Sequence, residues 1–285
     1  MTTNKKNYGT VFITGASSGI GRELALEFGA RAETLVLAAR RMDRLEQLRE
    51  QLLGRYPGLK IVVLAADLSQ EHEVERLLTN AFEQAGAVDV LVNNAGLGDS
   101  VLFDRAKWVR TRQILRTNIF AVARLTSALV PGMVERRRGG VLNIGSGAGL
   151  TVLPNAVAYV GSKHFVAGVS EALRADLSGT GVTVTQVCPG LVESEFDHVS
   201  GSPGGMVGAP PQRFFRISAA QCAREAVAGF ERGDARVFPG RAYRFVMKVL
   251  PLLPLWLRRK QAAHAAARLR ARQVTDDAAT YTNPR

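Results

Sequence analysis

The sequence has few cysteines, few histidines and no long uninterrupted apolar run. Its 285 residues include only two cysteines, Cys188 and Cys222, which are far apart and lack the spacing of a metal site. A disulfide framework is therefore not expected, and we predict that both thiols are reduced and buried in a cytoplasmic protein. The four histidines are scattered, without clustered thiols or carboxylates, so no metal site is predicted.

Two further classes of protein are disfavoured by what is missing. No apolar run reaches the roughly 18 residues that a membrane-spanning helix needs. Residues 1–9 are polar and lead directly into a strand-like run, so no secretory signal is expected. With 46% hydrophobic and 22% charged residues, the composition is that of a globular protein with a substantial core.

Acidic residues are scarce in the C-terminal part of the chain. The formal net charge is +12, and residues 232–285 hold twelve Lys or Arg against three Asp or Glu, which accounts for nine of these charges. The rest of the chain is close to balanced. The basic character therefore bears on the partners of the C-terminal segment and not on the fold.

Short apolar runs alternate with longer helical patterns. The runs are residues 11–13, 35–37, 61–64, 88–92, 141–144, 182–187 and 237–238, and the helical patterns cover 22–32, 43–55, 71–85, 107–134, 156–177 and 218–231. Continuous apolar strands that alternate with helices indicate a parallel sheet covered on both faces. We predict an α/β fold over residues 8–240, a single doubly wound Rossmann domain with a seven-stranded parallel sheet.

Two segments stand outside this alternation. Residues 200–211 are rich in Gly, Pro and Ser and follow a strand end, so a lid over the cleft is predicted at about residues 195–215. Residues 241–285 are predicted to form a basic, amphipathic helical extension, which Pro251 and Pro254 divide into two pieces.

A glycine-rich segment, TGASSGIG, occupies residues 14–21 between a strand-like run and a helical pattern. Glycines allow the backbone to approach a pyrophosphate, and the free N–H groups at the start of a helix attract its negative charge. The segment predicts a dinucleotide site, and an ordinary strand-to-helix turn is the alternative interpretation.

The end of the second strand distinguishes two related cofactors. A carboxylate there would bind the ribose 2′-hydroxyl of NAD and repel the 2′-phosphate of NADP. Here Arg40 and Arg41 follow Ala39, with no acidic residue beside them. Because a planar cation pairs well with a phosphate, we predict NADP(H) with Arg40 at the 2′-phosphate, the alternative being that Arg40 only begins a solvated helix.

Tyr159 and Lys163 are four residues apart in a helical pattern and therefore share one helix face. A phenol has a pKa near ~10 and needs a neighbouring cation to exchange protons near neutrality. Ser146, thirteen residues before Tyr159, ends a strand-like run and can hydrogen-bond a substrate oxygen. Together with the glycine turn, this set indicates an enzyme that moves a hydride.

These motifs resemble the short-chain dehydrogenase/reductase family over roughly residues 8–240, in the family's order and spacing. The resemblance implies a catalytic tetrad of Asn118, Ser146, Tyr159 and Lys163, in which Asn118 binds a water that links Lys163 to solvent. The segment CPGLVES at 188–194 has Ser194 where the family has threonine, and the hydroxyl is kept. The implied cofactor-binding residues are Gly15, Ser17, Ser18, Gly19, Ile20, Gly21, Arg40, Asp67, Leu68, Asn94, Ala95, Gly96, Tyr159, Lys163, Pro189, Gly190, Val192 and Ser194.

The sequence thus predicts an NADPH-dependent oxidoreductase that reduces a ketone or aldehyde, with a hydrophobic substrate favoured, or catalyses the reverse reaction. A non-catalytic NADPH-binding sensor and a protein associated with anionic membranes are the alternatives. The family resemblance implies a homodimer or homotetramer. Residues 241–272 are a candidate for peripheral contact with the inner membrane face, or they pack on the substrate pocket or a neighbouring subunit. No nucleic-acid role is expected, since aromatic residues are not interleaved with the basic ones.

Overall fold

The computed structural model of the protein describes residues 8–196 and 216–281, with side chains through residue 271. Its central sheet has seven parallel strands. Nine strands are described in all: β1 (Tyr8–Thr14), β2 (Ala32–Ala39), β3 (Lys60–Ala65), β4 (Val90–Asn93), β5 (Gly139–Ile144), β6 (Val182–Val187), β7 (Val192–Glu193), β8 (Ile217–Ser218) and β9 (Arg236–Val237). The order in the main sheet is β3-β2-β1-β4-β5-β6-β9, which confirms the predicted sheet. The reversal of order between β1 and β4 creates the crevice in which such sheets bind ligands.

Helices cover both faces of this sheet. They are α1 (Gly19–Gly29), α2 (Met42–Arg55), α3 (Glu71–Ala85), α4 (Trp108–Leu115), α5 (Ala121–Glu135), α6 (Val157–Asp176), α7 (Ala219–Arg232), α8 (Arg241–Val249) and α9 (Leu255–Tyr281). The helix predicted over residues 22–32 was wrong at its C-terminal end. The observed helix α1 ends at Gly29, and Ala32 already pairs with Tyr8 in the sheet. The single helix predicted over 107–134 contains a π-helical turn at residues 116–120 between α4 and α5.

The alternation of side chains along β1 explains why both faces are apolar. Val11 and Ile13 join the core under α1, α2 and α7, whereas Phe12 joins the core under α3 and α5, and all three are fully buried. Burial of each such side chain contributes about 1.5–3 kcal/mol relative to exposure. A strand with two buried faces must be apolar throughout, which is the pattern that the sequence displays.

The helical stretch Trp108–Glu135 is long and apolar enough, by composition alone, to cross a membrane, with a mean hydropathy of 1.3 over its most apolar 18 residues. The sequence shows no uninterrupted apolar run here because Arg116 and Arg124 interrupt the segment. Half of that window is buried, and Leu125 and Met133 belong to the core beneath the sheet. Packing of a core helix accounts for the same composition.

The C-terminal extension leaves the sheet at Gly240, whose φ of +89° favours glycine, and then forms α8. A 3₁₀ turn at residues 250–252 separates α8 from α9, which confirms the predicted break at the two prolines. Arg270 of α9 pairs with Asp104 at 2.9 Å and so attaches this helix to the domain. Residues 197–215 of the predicted lid lie outside the described residues, and β7 and β8, which flank them, pair in a small parallel sheet that the sequence did not predict.

Candidate active site

The glycine turn after β1 is shaped by close approaches of backbone to backbone. Gly15 and Gly19 have φ values of +68° and +54°, a region that favours glycine. A Cβ at Gly21 would lie 2.3 Å from the carbonyl oxygen of Gly15, so only glycine fits there without movement. The turn therefore leads directly into α1, whose first N–H groups have no helical partner and can receive an anion.

The segment after β4 is tied to this turn by side-chain hydrogen bonds. The Asn94 amide donates to the carbonyl oxygens of Thr14 at 2.9 Å and Gly15 at 3.2 Å. The Thr14 hydroxyl accepts from the backbone N–H groups of Asn94 and Ala95 at 3.0 and 3.1 Å. Deeper in the sheet, Asn93 donates to Asn143 of β5 at 2.9 Å. These bonds hold the segment after β4 against the glycine turn and against β5.

A cleft opens at the carboxyl edge of the sheet, next to the reversal between β1 and β4. Two predicted site residues, Gly21 and Asn118, pack behind its wall. The other eighteen line it: Gly15, Ser17, Ser18, Gly19, Ile20, Arg40, Asp67, Leu68, Asn94, Ala95, Gly96, Ser146, Tyr159, Lys163, Pro189, Gly190, Val192 and Ser194. The fold therefore brings together residues from the segments that follow six strands, β1 to β6, and from helix α6.

Helix α6 carries the predicted acid–base pair. Tyr159 and Lys163 are 8% and 5% exposed, and the Lys163 Nζ lies 5.8 Å from the centre of the Tyr159 ring. The ammonium donates a hydrogen bond to the carbonyl oxygen of Ile144, at the end of β5, at 2.8 Å. Burial lowers the pKa of Lys163 to about 8. A cation and a phenol are thus held side by side where water is largely excluded.

Ser146 lies just past the end of β5, between two glycines. Its Oγ accepts a hydrogen bond from the backbone N–H of Ala148 at 3.1 Å, so the hydroxyl proton points elsewhere. Ser146 lines the same cleft as Tyr159. The serine can therefore donate to an oxygen atom in the cleft while its own position stays fixed.

Asn118 sits in the π-helical turn between α4 and α5, a kind of turn that often marks functional sites. Its side chain accepts from the Leu97 N–H at 2.8 Å and donates to the Leu97 carbonyl and the Ser162 hydroxyl, both at 2.9 Å. A Cβ on Gly96 would lie 3.6 Å from both the Asn118 Oδ1 and the Lys163 Nζ. Asn118 thus holds the wall of the cleft beside the lysine, and its role toward a water stays a prediction.

Residues 9–202 match the family described as short chain dehydrogenase, more than half of the chain. The protein belongs to the short-chain dehydrogenase/reductase family. A sulfoacetaldehyde reductase from Chromohalobacter salexigens is 39% identical over 191 residues, 65% of this chain and 73% of the relative.

Two solved structures of this family show the same architecture. A short-chain dehydrogenase from Sphingobium yanoikuyae in complex with NADPH is 30% identical, with a TM-score of 0.74 over 83% of this chain and 91% of the other. A bulky-bulky ketone specific alcohol dehydrogenase from Comamonas testosteroni is 27% identical, with a TM-score of 0.73 over 87% and 92% of the two chains.

As a short-chain dehydrogenase/reductase, the protein is an oxidoreductase that acts on carbonyl or alcohol groups with a nicotinamide cofactor. The cleft fits such a cofactor on its own geometry. The glycine turn lines the cleft at the start of α1, whose free N–H groups suit a pyrophosphate, and Gly15 packs so closely on the segment after β4 that a Cβ there would lie 2.8 Å from the Ala95 Cα. Asp67, one of the predicted cofactor-binding residues, is held in place by accepting the Ser69 N–H at 2.9 Å.

A cluster of charged residues beside this cleft, Arg41, Arg44 and Glu195, was not predicted from the sequence. Arg41 donates to the Ser18 hydroxyl and to Glu195, both at 2.8 Å, and Arg44 also hydrogen-bonds Glu195. The hydrogen bonds to Glu195, of which that from Arg44 has the larger effect and that from Arg41 the smaller, lower the pKa of Glu195 to about 2. The i, i+3 spacing of the arginines at the start of α2 was a usable signal. Glu195 gave no such signal in the sequence, because it lies beyond β7 and is separated from Arg41 by 154 positions.

The depressed pKa of Lys163 predicts a pH-dependent affinity for the cofactor. Above pH about 8 the ammonium loses its proton, and its ability to donate a charge-assisted hydrogen bond falls. Of the groups beside it, burial raises the pKa of Cys188 to about 12, so that thiol stays neutral in this range. Titrating NADPH by fluorescence should show the affinity falling as pH rises through about 8. In Lys163→Met the inflection should be absent; the same inflection there would refute the assignment.

Proposed function

We propose that this short-chain dehydrogenase/reductase is an NADPH-dependent reductase of ketones or aldehydes. The observation that carries the proposal is the buried pair of Tyr159 and Lys163 in the same cleft as Ser146. When bound, the cofactor supplies a hydride to the carbonyl carbon and is itself oxidised. The remaining need is a proton for the carbonyl oxygen, and the chain's own side chains provide it.

In the proposed reduction, Tyr159 gives its phenolic proton to the carbonyl oxygen as negative charge develops there. The product is the alcohol, and the phenol regains its proton from solvent. The Lys163 ammonium, 5.8 Å from the ring centre, stabilises the phenolate that remains after the transfer. Ser146 donates a hydrogen bond to the same oxygen, because its Oγ already accepts from Ala148.

We also propose an apolar substrate. Phe196 lines the cleft, and its ring centre lies 5.6 Å from that of Tyr159. Leu153 packs against the cluster formed by Ala148, Ala156 and Tyr159. Apolar and aromatic walls with a few polar groups are typical of sites that bind small hydrophobic molecules. A preference for a small anionic aldehyde over aliphatic and aromatic ketones in a substrate panel would contradict this part alone.

Replacing the proton donor tests the proposal directly. Tyr159→Phe keeps the ring and removes the proton, so the rate of carbonyl reduction should fall about 10²- to 10⁴-fold. Loss of NADPH absorbance with the best carbonyl of the panel measures this rate. Tyr56→Phe, the same change on a ring that packs against Gly29 away from the cleft, is the control and should change nothing. An undiminished rate in Tyr159→Phe overturns the mechanism, and NADPH binding without oxidation by any carbonyl favours the sensor.

The preference for NADPH over NADH is supported by charge at the end of β2. Arg40 and Arg41 both line the cleft, and Glu195 is already paired with Arg41 and Arg44. A 2′-phosphate on the ribose would offer these guanidinium groups an anion in place of Glu195. The hydroxyl of NADH would not replace that carboxylate, so the two cofactors should differ in affinity.

Substitutions at these charged residues should change the affinity for NADPH much more than the affinity for NADH. Arg40→Ala and Arg41→Ala should each weaken NADPH about 10- to 100-fold, as expected for loss of a charged hydrogen bond, and change NADH far less. Glu195→Gln should tighten NADPH because it frees both arginines. Arg49→Ala, on an exposed arginine of α2 paired with Glu46, is the matched control. Equal weakening of both cofactors, measured by titration, would show that the 2′-phosphate site is misassigned.

A second proposal concerns the surface of the extension: the protein is cytoplasmic and attaches peripherally to anionic membrane at the inner face. Phe245 and Val249 share one face of α8 at i, i+4 spacing, and Phe245 and, in the 3₁₀ turn that follows, Leu252 are 70% and 79% exposed. Leu255 and Trp256 continue this apolar surface and are also exposed. Basic residues flank it, and residues 241–275 contain no Asp or Glu. Exposed apolar side chains within a basic segment are typical of interfacial helices.

Vesicle co-sedimentation tests this attachment. The whole protein should sediment with vesicles that contain phosphatidylserine, less with pure phosphatidylcholine, and less at high salt, since each basic residue near the surface adds about 1 kcal/mol. The triple change Phe245→Ser, Leu252→Ser and Trp256→Ser should abolish sedimentation. Phe82→Ser, on an exposed phenylalanine of α3, should leave it intact. Equal sedimentation of the triple variant and the wild type removes the proposal.

A further inference from the structure

Helix α8, the first helix after the sheet, carries Tyr243, whose side chain contacts a loop that lines the active site. This helix lies beyond the segment that matches the family, which ends at residue 202. Its start is fixed by Glu225 of α7, which accepts from the Gly240 N–H at 3.1 Å and from Arg244 at 2.7 Å. Tyr243 lies between these two anchored residues, so the orientation of its ring is set by the fold.

Tyr243 closes a hydrogen-bonded junction between two loops. The carbonyl oxygen of Pro189, after β6, accepts from the Gly147 N–H, after β5, at 3.0 Å. The Tyr243 hydroxyl donates to that same oxygen at 3.4 Å. Burial raises the pKa of Tyr243, so the phenol keeps its proton and remains a donor across the physiological range.

Glycines at two positions make room for this side chain. A Cβ on Gly190 would lie 2.7 Å from the Tyr243 ring, and a Cβ on Gly147 would lie 1.7 Å from the Tyr243 hydroxyl. The other groups near the Gly147 position are the Tyr243 ring carbon at 3.0 Å and the Met247 methyl at 3.5 Å. The absence of a side chain at Gly147 is therefore explained by the presence of Tyr243.

We propose that Tyr243 is a positioning residue for the reaction, which sets the separation between Ser146 and the Pro189–Gly190 loop. Ser146 is adjacent to Gly147, and Pro189 and Gly190 line the same cleft as Ser146 and Tyr159, so in the proposed reaction they border the reacting end of the cofactor. A shift of either loop moves the substrate-oxygen donor relative to the cofactor's reactive face. The inference rests on the proposed reductase activity, so its test includes measurements that need no turnover.

Substitution of Tyr243 should affect catalysis more than folding. In Tyr243→Ala, kcat should fall about 10- to 100-fold, the scale on which misplacement of reacting groups lowers rates. Tyr243→Phe keeps the ring and loses only the hydroxyl, so the fall should be about 2- to 10-fold. Phe245→Ala, two residues away on the exposed side of α8, is the control and should reduce carbonyls at the wild-type rate. A Tyr243→Ala protein with wild-type kcat overturns the proposal.

Ligand binding separates this role from a general loss of structure. Calorimetric titration of Tyr243→Ala should show weaker NADPH binding but unchanged binding of adenosine 2′,5′-bisphosphate, which occupies only the adenosine half of the cleft. Equal weakening of both ligands points to a merely structural role and contradicts the proposal. If the wild type reduces no carbonyl, the proposed function fails, and this comparison still decides the role of Tyr243.

A compensating pair tests the contact itself. Gly147→Ala alone should reduce kcat and NADPH affinity, because its Cβ cannot coexist with the Tyr243 hydroxyl at 1.7 Å. Combined with Tyr243→Ala the methyl group has space, so the double variant should be no worse than Tyr243→Ala alone. Thermal unfolding and light scattering confirm that each variant is folded with the wild-type subunit number, expected to be two or four. Strictly additive losses in the folded double variant would falsify the proposed contact.

Discussion

The site depends on one buried hydrogen bond, from the Lys163 ammonium to the carbonyl oxygen of Ile144 at 2.8 Å. Removing a charge from water costs several kcal/mol, and only a well-formed polar partner makes such burial tolerable. The strand end supplies that partner, and the face of the Tyr159 ring, 5.8 Å away, adds a favourable cation–π contact. Since Lys163 and Tyr159 share α6, the bond also sets the position of the phenol relative to the sheet edge. Burial lowers the pKa of the lysine, and the hydrogen bond that holds the buried ammonium also fixes the position of the tyrosine.

The second constraint is the close approach of backbone segments around the cleft. At Gly15 and Gly21 a Cβ would meet neighbouring backbone atoms, so the tight turn between β1 and α1 requires glycine at both positions. At Gly147 and Gly190 it would meet Tyr243, a side chain from a distant part of the chain. Glycine therefore serves two different purposes here, close approach of backbone segments in the first half of the fold and room for a distant side chain in the second. The two are indistinguishable by residue type alone.

This distinction explains how much of the molecule could be predicted from the sequence. The seven strands were predictable because strands buried on both faces are apolar throughout, and Tyr159 and Lys163 were placed on one face by helical spacing alone. The end of α1 at Gly29 was missed because the apolar periodicity continues through the tight turn into β2. Glu195 and Tyr243 could not be placed, since their contacts with Arg41 and Pro189 span 154 and 54 residues and depend on where the chain returns. Local periodicity predicts elements, and such long-range contacts are fixed only by the assembled fold.

The geometry of α8 connects the two surfaces that the proposals invoke. Successive residues of a helix are rotated by about 100°, so Tyr243 and Phe245 point to nearly opposite sides. The first contacts Pro189 within the active-site wall, and the second is 70% exposed on the basic outer surface. A force that reorients this short helix from outside would therefore move the hydroxyl that joins the two catalytic loops. Glu225 ties both Gly240 and Arg244 to α7 at the start of the helix, and the buried Met247 anchors the next turn. The exposed apolar surface and the contact with the active-site loops are therefore opposite sides of one short helix.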